Sequence, residues 1–249
     1  MTTAYAPKIR GNLDYPTSDG KPMAETDVHR ELMNDLIQTL DHRFADDPDV
    51  YVSGNLLLFY VPGDKRRHVS PDVLLVRGVP KGPRENYILW EEGRGPDLVI
   101  ELTSRSTRDE DVETKFRLYQ DVLRVSEYFL FDPRQEYLSP SMQGWRLGED
   151  GRYIPVEAMD GRLPSTVAGL HLVRQGQQLR LYDPETGAVL PTPRERAAQA
   201  EAARRREAAA RQEAEDTARR ADAARRAAEA EADRLRREIE ELRRKGNGA

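Results

Sequence analysis

Pro96-Asp97-Leu98-Val99-Ile100-Glu101-Leu102-Thr103 decides how this chain is read. Leu98-Val99-Ile100 is a continuous apolar run, the pattern of a strand buried on both faces. Glu101 continues that run directly. Its carboxylate either lies at a solvated strand end or is buried, and a buried one must meet a cation or a donor. Val73-Leu74-Leu75-Val76 repeats the pattern, with Asp72 just before it in Ser70-Pro71-Asp72. Tyr128-Phe129-Leu130-Phe131 is a third such run, closed by Asp132-Pro133. Two acids on neighbouring strands can hold a hard divalent cation such as magnesium.

Helical periodicity surrounds these strands. Val28, Leu32, Leu36 and Leu40 recur at spacing four, with Met33 and Ile37 widening the stripe. That predicts a helix over 26–43 with Thr26 or Asp27 as its N-cap. Thr107-Arg108-Asp109-Glu110 has capping-box spacing. The helix behind it would place Val112, Phe116, Tyr119 and Val122 or Leu123 on one face. A strand region is expected over 50–61 and a loop over 77–96. Two hairpins are expected, one turning at 148–151 and one at Gln175-Gly176. Helix, strands, helix, strand is an α/β order whose sheet need not be all parallel.

The chain has 249 residues, 4 histidines and no cysteine, so disulfides and thiolate metal sites are excluded. No apolar run approaches the roughly 20 residues that span a bilayer, and the N-terminus lacks a signal-peptide layout. No membrane association and a cytoplasmic location are the default expectations. From Arg194 onward 16 basic residues face 13 acidic ones, a net of +3 that leaves −8 for the rest. An acidic body counts against tight nucleic-acid binding, and less against an enzyme whose substrate phosphates are bridged by metal. The same tail is almost entirely Ala, Arg and Glu, which predicts one helix of about 50 residues, roughly 75 Å long. Leu235, Ile239 and Leu242 have d-a-d spacing, but further back the frame meets Ala, Arg and Glu, so the seam is thin. The expected organisation is an arm over 1–23, an α/β domain over 24–190 and a helical extension over 191–249.

Asp72 could simply cap a turn at a strand start. Lys115 could be the exposed partner of Asp111 at i,i+4, yet it adjoins the apolar stripe and so leans toward the sheet. An ammonium beside a cation can orient water or offset developing charge on a phosphate. His29, next to Val28 and Leu32, is either a hydrogen-bonded boundary histidine or a contact to a phosphate or a metal-bound water. Glu25 and Glu31 are nearby acids, Glu31 reading as a solvated helix face. Ser104, Ser106 and Thr107 read as residues shaping a strand-to-helix turn.

Taken in order, Ser70-Pro71-Asp72-Val73, the stretch Pro96 to Thr107, Asp111 to Lys115 with Tyr119, Glu127-Tyr128 and Asp132-Pro133 resemble the Uma-type restriction endonucleases of the PD-(D/E)XK nuclease superfamily. The resemblance covers about residues 20 to 185. It implies a restriction-endonuclease-like core, a mixed central sheet flanked by helices. It implies that Asp72 and Glu101, with the carbonyl of Leu102, bind magnesium or manganese. The superfamily usually keeps its lysine two residues after the second acid, where this chain has Thr103, and Lys115 matches a lysine moved to the following helix. His29 matches a histidine on the family's first helix. The expected activity is metal-dependent hydrolysis of nucleic-acid phosphodiesters, with DNA as partner and a homodimer by analogy with the fold class, aided by the C-terminal helix. Two rivals are a catalytically silent nucleic-acid- or protein-binding module of this fold, and a coiled-coil scaffold carrying a nuclease relic.

Overall fold

The computed structural model describes residues 14–18, 20 and 26–246, with side chains through Glu241. Glu25 and the side chain of Leu242 lie outside them. In chain order the elements are α1 (Asp27–Arg43), β1 (Val50–Ser53), β2 (Leu58–Phe59), β3 (His68–Val69), β4 (Val73–Arg77), β5 (Tyr87–Ile88), α2 (Leu89–Glu92) and β6 (Leu98–Leu102). Two π-helical segments, Glu110–Lys115 and Leu118–Val122, follow. Then come β7 (Glu127–Phe131), β8 (Met142–Leu147), β9 (Tyr153–Pro155), β10 (Arg162–Ser165), β11 (Leu170–Gln175), β12 (Gln178–Asp183), β13 (Ala188–Val189) and α3 (Pro193–Gly246).

The central sheet is mixed, in the order β1-β4-β6-β7-β8-β9. Within it only β6 and β7 pair in parallel. Parallel neighbours need a crossover, and the helical stretch between Leu102 and Glu127 supplies it. Strand alternation then assigns the two faces. Val73, Leu75, Leu98, Ile100, Leu102, Phe129 and Phe131 pack against Leu32, Met33, Leu36 and Leu40 of α1 and against leucines of the four-stranded sheet β10–β13. Leu74, Val76, Val99, Tyr128 and Leu130 pack on the opposite side with Tyr119, Leu123 and Val125 of the crossover. Glu101 shares parity with Val99, and Asp72 with Leu74, so both acids belong to the crossover face.

The first helix begins one residue after its cap: the Thr26 hydroxyl accepts the His29 N–H at 3.2 Å. Val28, part of its apolar stripe, is exposed. The strand region expected over 50–61 divides at Gly54 into β1 and β2, which join different sheets. The expected loop over 77–96 contains β5 and α2. It is held by the buried Arg84 guanidinium, which donates to both oxygens of Glu92 at 2.7 and 3.0 Å and lies 3.7 Å from the Tyr51 ring centre. Both expected hairpins form, as β8–β9 and β11–β12. Among the described residues no helix is long and apolar enough to cross a membrane.

The crossover differs most from the sequence expectation. Its buried residues are Asp111, Lys115, Tyr119, Gln120 and Leu123, while Val112 and Phe116 are half-buried and Val122 is exposed. Residues four apart share a helix face, so Asp111, Lys115 and Tyr119 turn together toward the sheet. Polar side chains thereby reach the sheet.

The chain forms two compact units, residues 1–193 and 194–249. The second is the single long helix. Along it Leu235 and Ile239 are about half exposed.

Candidate active site

Val73 faces Ile100 across the antiparallel β4–β6 ladder, so one step further out Asp72 faces Glu101. The Asp72 N–H donates to Glu101 Oε2 at 3.3 Å, and the Leu102 N–H donates to Asp72 Oδ2 at 2.7 Å. Asp72 Oδ1 lies 3.2 Å from His29 Nε2, which brings the start of α1 onto the same carboxylate. The crossover closes the group from the other side. Lys115 Nζ sits 3.0 Å from Glu101 Oε2 and 2.9 Å from Asp111 Oδ1. The Tyr119 hydroxyl donates to Glu101 Oε1 at 2.6 Å. The structure thus brings together His29, Asp72, Glu101, the backbone of Leu102, and Lys115. Glu31, by contrast, is exposed on α1.

Two further neighbours escape sequence reasoning. By spacing alone Asp111 is one half of a surface ion pair, yet it is buried beside Lys115. By the same reasoning Tyr119 is an apolar stripe residue, yet its hydroxyl holds the buried acid. Apart from their place in the family resemblance, the sequence signal is the four-residue spacing Asp111, Lys115, Tyr119, which an exposed helix can equally carry.

Burial pushes the Glu101 carboxyl well above its ordinary value, against the pull of Lys115. Burial raises Asp111 for the same reason. Burial would also raise Asp72, but the His29 hydrogen bond and the charge of Lys115 outweigh it and hold that carboxyl low. Burial alone would lower Lys115; Glu101, Asp111 and Asp72 together raise it. The outcome is a firmly charged ammonium among three carboxyls, with Asp72 the most readily ionised of them.

The group opens on a cleft of about 620 Å³. Asp72, His29, Thr103, Asp111 and Lys115 line its floor, and loops 104–107 and 133–137 form its walls. Asp132, fully buried, builds the second loop: its Oδ1 accepts the N–H groups of Arg134 and Gln135, and its Oδ2 those of Tyr137 and Leu138. Burial would raise this carboxyl, but the four N–H groups hold it below its ordinary value. A group with a depressed folded pKa contributes stability above the unfolded value, about 3.9, and loses it as pH falls. Asp132→Ala is therefore expected to cost about 3 kcal/mol at pH 7, through the unsatisfied N–H of Leu138 and its neighbours. The difference from wild type should shrink below about pH 4. Urea unfolding at both pH values checks this; an equal deficit at both would contradict the assignment. Glu127, the other buried acid of the sheet, sits at the opposite end of β7 and accepts from Ser165, Thr166, Val167 and Arg146. It ties β7 to the segment around β10 and is no part of the cleft.

The chemistry of the donor set fits a magnesium-like ion. Asp72 and Glu101 offer hard carboxylate oxygens on facing positions of the ladder, and Thr103 Oγ1 is buried in the cleft floor without a hydrogen-bond partner. Among the described residues no group of three or more His, Cys, Asp or Glu is placed to hold a metal. Magnesium is commonly bound by only one or two carboxylates, its other positions going to water and substrate phosphate.

A mixed sheet flanked by helices, with paired acids at the ends of two central strands, is a restriction-endonuclease-like α/β arrangement, to which this chain adds a long C-terminal helix. The family model Uma2, described as "Putative restriction endonuclease", matches residues 10–181. The chain belongs to that family. One similar solved structure, a protein from Anabaena variabilis described as "a putative nuclease belonging to DUF820", is 17% identical with a TM-score of 0.45. The match covers 61% of this chain and 80% of that one. No curated protein matches.

Proposed function

We propose that the chain is a metal-dependent endonuclease that hydrolyses phosphodiester bonds of nucleic acid, with DNA as its substrate. The observation that carries this reading is the contact of Lys115 with Glu101, directly across the ladder from Asp72, at the floor of a cleft. Asp72 and Glu101, with the Leu102 carbonyl, would hold magnesium or manganese. A bound ion supplies Lewis-acid polarisation of a phosphate oxygen and a water of lowered pKa.

The chain's own residues do the positioning. His29 and the Leu102 N–H fix the Asp72 carboxylate from two sides. An ammonium has three N–H groups; two serve Glu101 and Asp111, which leaves one for the cleft that Lys115 lines. There it orients the attacking water and offsets the charge that grows on the phosphate. Water oxygen bonds to phosphorus, the ester P–O bond breaks, and the leaving oxygen takes a proton. Uncatalysed phosphate esters hydrolyse so slowly that each such contribution counts.

The test is conversion of supercoiled plasmid and of a single-stranded oligonucleotide with magnesium or manganese. Cleavage abolished by chelator and by Asp72→Asn is the expected result. Cleavage that survives both would sink the proposal. A second reading has its own support, because Glu101 is fully buried and both its oxygens are engaged. In that reading the domain is a silent nucleic-acid- or protein-binding module. Calorimetry separates the two, since a silent module need not lose metal affinity on Glu101→Gln.

A further inference from the structure

The cleft walls carry two guanidiniums that the proposed chemistry leaves unused. Arg105 stands on the loop after β6 and Arg134 on the loop after β7; both are exposed, and both line the cleft. Neither side chain makes an ion pair among the described residues. Arg84 and Arg146 of the same unit are by contrast ion-paired, with Glu92 and Glu127.

Both walls are held from beneath. On the first, the Ser104 N–H donates to the Thr107 hydroxyl at 3.1 Å, and the Ser104 hydroxyl lies 3.1 Å from those of Ser106 and Thr107. On the second, Asp132 gathers four backbone N–H groups, and Arg174 donates to the carbonyls of Asp132 and Pro133 at 3.2 and 3.0 Å. Arg108 joins the walls, its Nε donating to the Tyr137 carbonyl at 2.9 Å. Both guanidiniums act electrostatically on one side chain of the second wall, Tyr137. A hydrogen bond to Glu136 raises the Tyr137 phenol, while Arg134 and Arg105 both act to lower it. Two unpaired planar cations on braced walls, above a floor of carboxylates and one ammonium, match a linear polyanion better than a compact one. Guanidinium groups suit phosphate diesters because they present several N–H donors in a fixed plane.

We propose that Arg105 and Arg134 form a two-walled clamp that grips the phosphodiester backbone on either side of the bond to be cut. The inference rests on the nuclease reading. It makes the two arginines positioning residues that carry affinity without sequence preference.

The experiment is fluorescence anisotropy of labelled duplex and single-stranded oligonucleotides, titrated in chelator across a range of potassium chloride. The proteins are wild type, Arg105→Gln, Arg134→Gln, the double variant, and Arg152→Gln as an exposed control outside the cleft. Removing one cation from a phosphate lowers the slope of log K against log salt by about 0.9 on duplex or about 0.7 on single strands. Each single variant is expected to show that change, the double variant about twice it, and the control none. In cleavage assays KM should rise while kcat holds. Slopes equal to wild type in a protein that binds and cleaves would overturn the clamp and leave the nuclease reading standing. A wild type that neither binds nor cleaves would remove both.

Discussion

Lys115→Met is expected to lower the stability of the α/β domain by about 3–5 kcal/mol and to abolish metal-dependent cleavage. The ammonium lies between Glu101 and Asp111, both buried to the last few per cent of their side-chain surface. Removing one partner of a buried ion pair strands the other's charge away from water, which costs about this much. Here two carboxyls are stranded at once. Both already sit above their ordinary values, and without Lys115 they rise further and take up protons. Acids raised in the folded state lose stability as pH climbs above their unfolded values, so the deficit should be larger at pH 8 than at pH 5. Adding Glu101→Gln should recover part of the loss, because an amide needs no counter-charge, and the coupling can be read from a double-mutant cycle. Guanidinium unfolding of the four proteins supplies the numbers. A single variant as stable as wild type would mean that Lys115 is not held where the geometry puts it.

Gly54→Ala is expected to be nearly as damaging, although Gly54 carries no side chain and touches no substrate. A β-carbon added there would sit 1.9 Å from the Asp72 carbonyl oxygen and 2.7 Å from Ile37 Cδ1. Asp72 cannot retreat freely. The neighbouring Pro71 carbonyl accepts the Asn55 N–H at 2.8 Å, and the Asp72 side chain is bonded to Leu102 and His29. Relief must come by moving the start of β4 away from α1 and β1. Overpacking of this kind costs about 1–3 kcal/mol or more. A displacement of about 1 Å at a reacting group can cost 100-fold in rate, so plasmid cleavage should fall by at least about that factor while the domain stays folded. Gly63→Ala is the comparison. Its added carbon meets nothing within 4 Å, and its cost is confined to the positive φ of 79°. It should destabilise by about 1 kcal/mol and leave cleavage intact. Equal effects of the two changes would show that close packing at Asp72 is not what Gly54 protects.

The elements legible in the sequence share one property: many residues repeat one environment. The apolar runs of β4, β6 and β7 and the four-residue stripe of α1 each average over several positions, so a single exception such as exposed Val28 does not hide the pattern. The elements that escape it are short or polar. Tyr87 and Ile88 form a two-residue strand that exists only because β2 lies alongside it. The division of 50–61 at Gly54 reflects the approach of Asp72, eighteen positions away in sequence. Nothing in local periodicity records either contact.

The candidate site divides the same way. Asp72, Glu101, Lys115 and His29 are legible because charged or polar residues in or beside apolar runs are conspicuous on any reading. Asp111 and Tyr119 are not, since an i,i+4 acid–lysine pair reads alike on a wet helix and on a buried one. Which face of the crossover meets the sheet is set by tertiary packing, and hydrophobic spacing does not record that these polar residues lie on it.

The sequence by itself determined the α/β class, the strands that bear the acids and the long Ala/Arg/Glu helix, because burial pattern and helix propensity act over neighbouring residues. Only the tertiary structure decided that Asp72 meets Glu101, that Lys115 sits between Glu101 and Asp111, and that Arg105 and Arg134 face one cleft. Those pairings depend on ladder register, crossover geometry and braced loops, which are set by interactions between residues far apart in the chain.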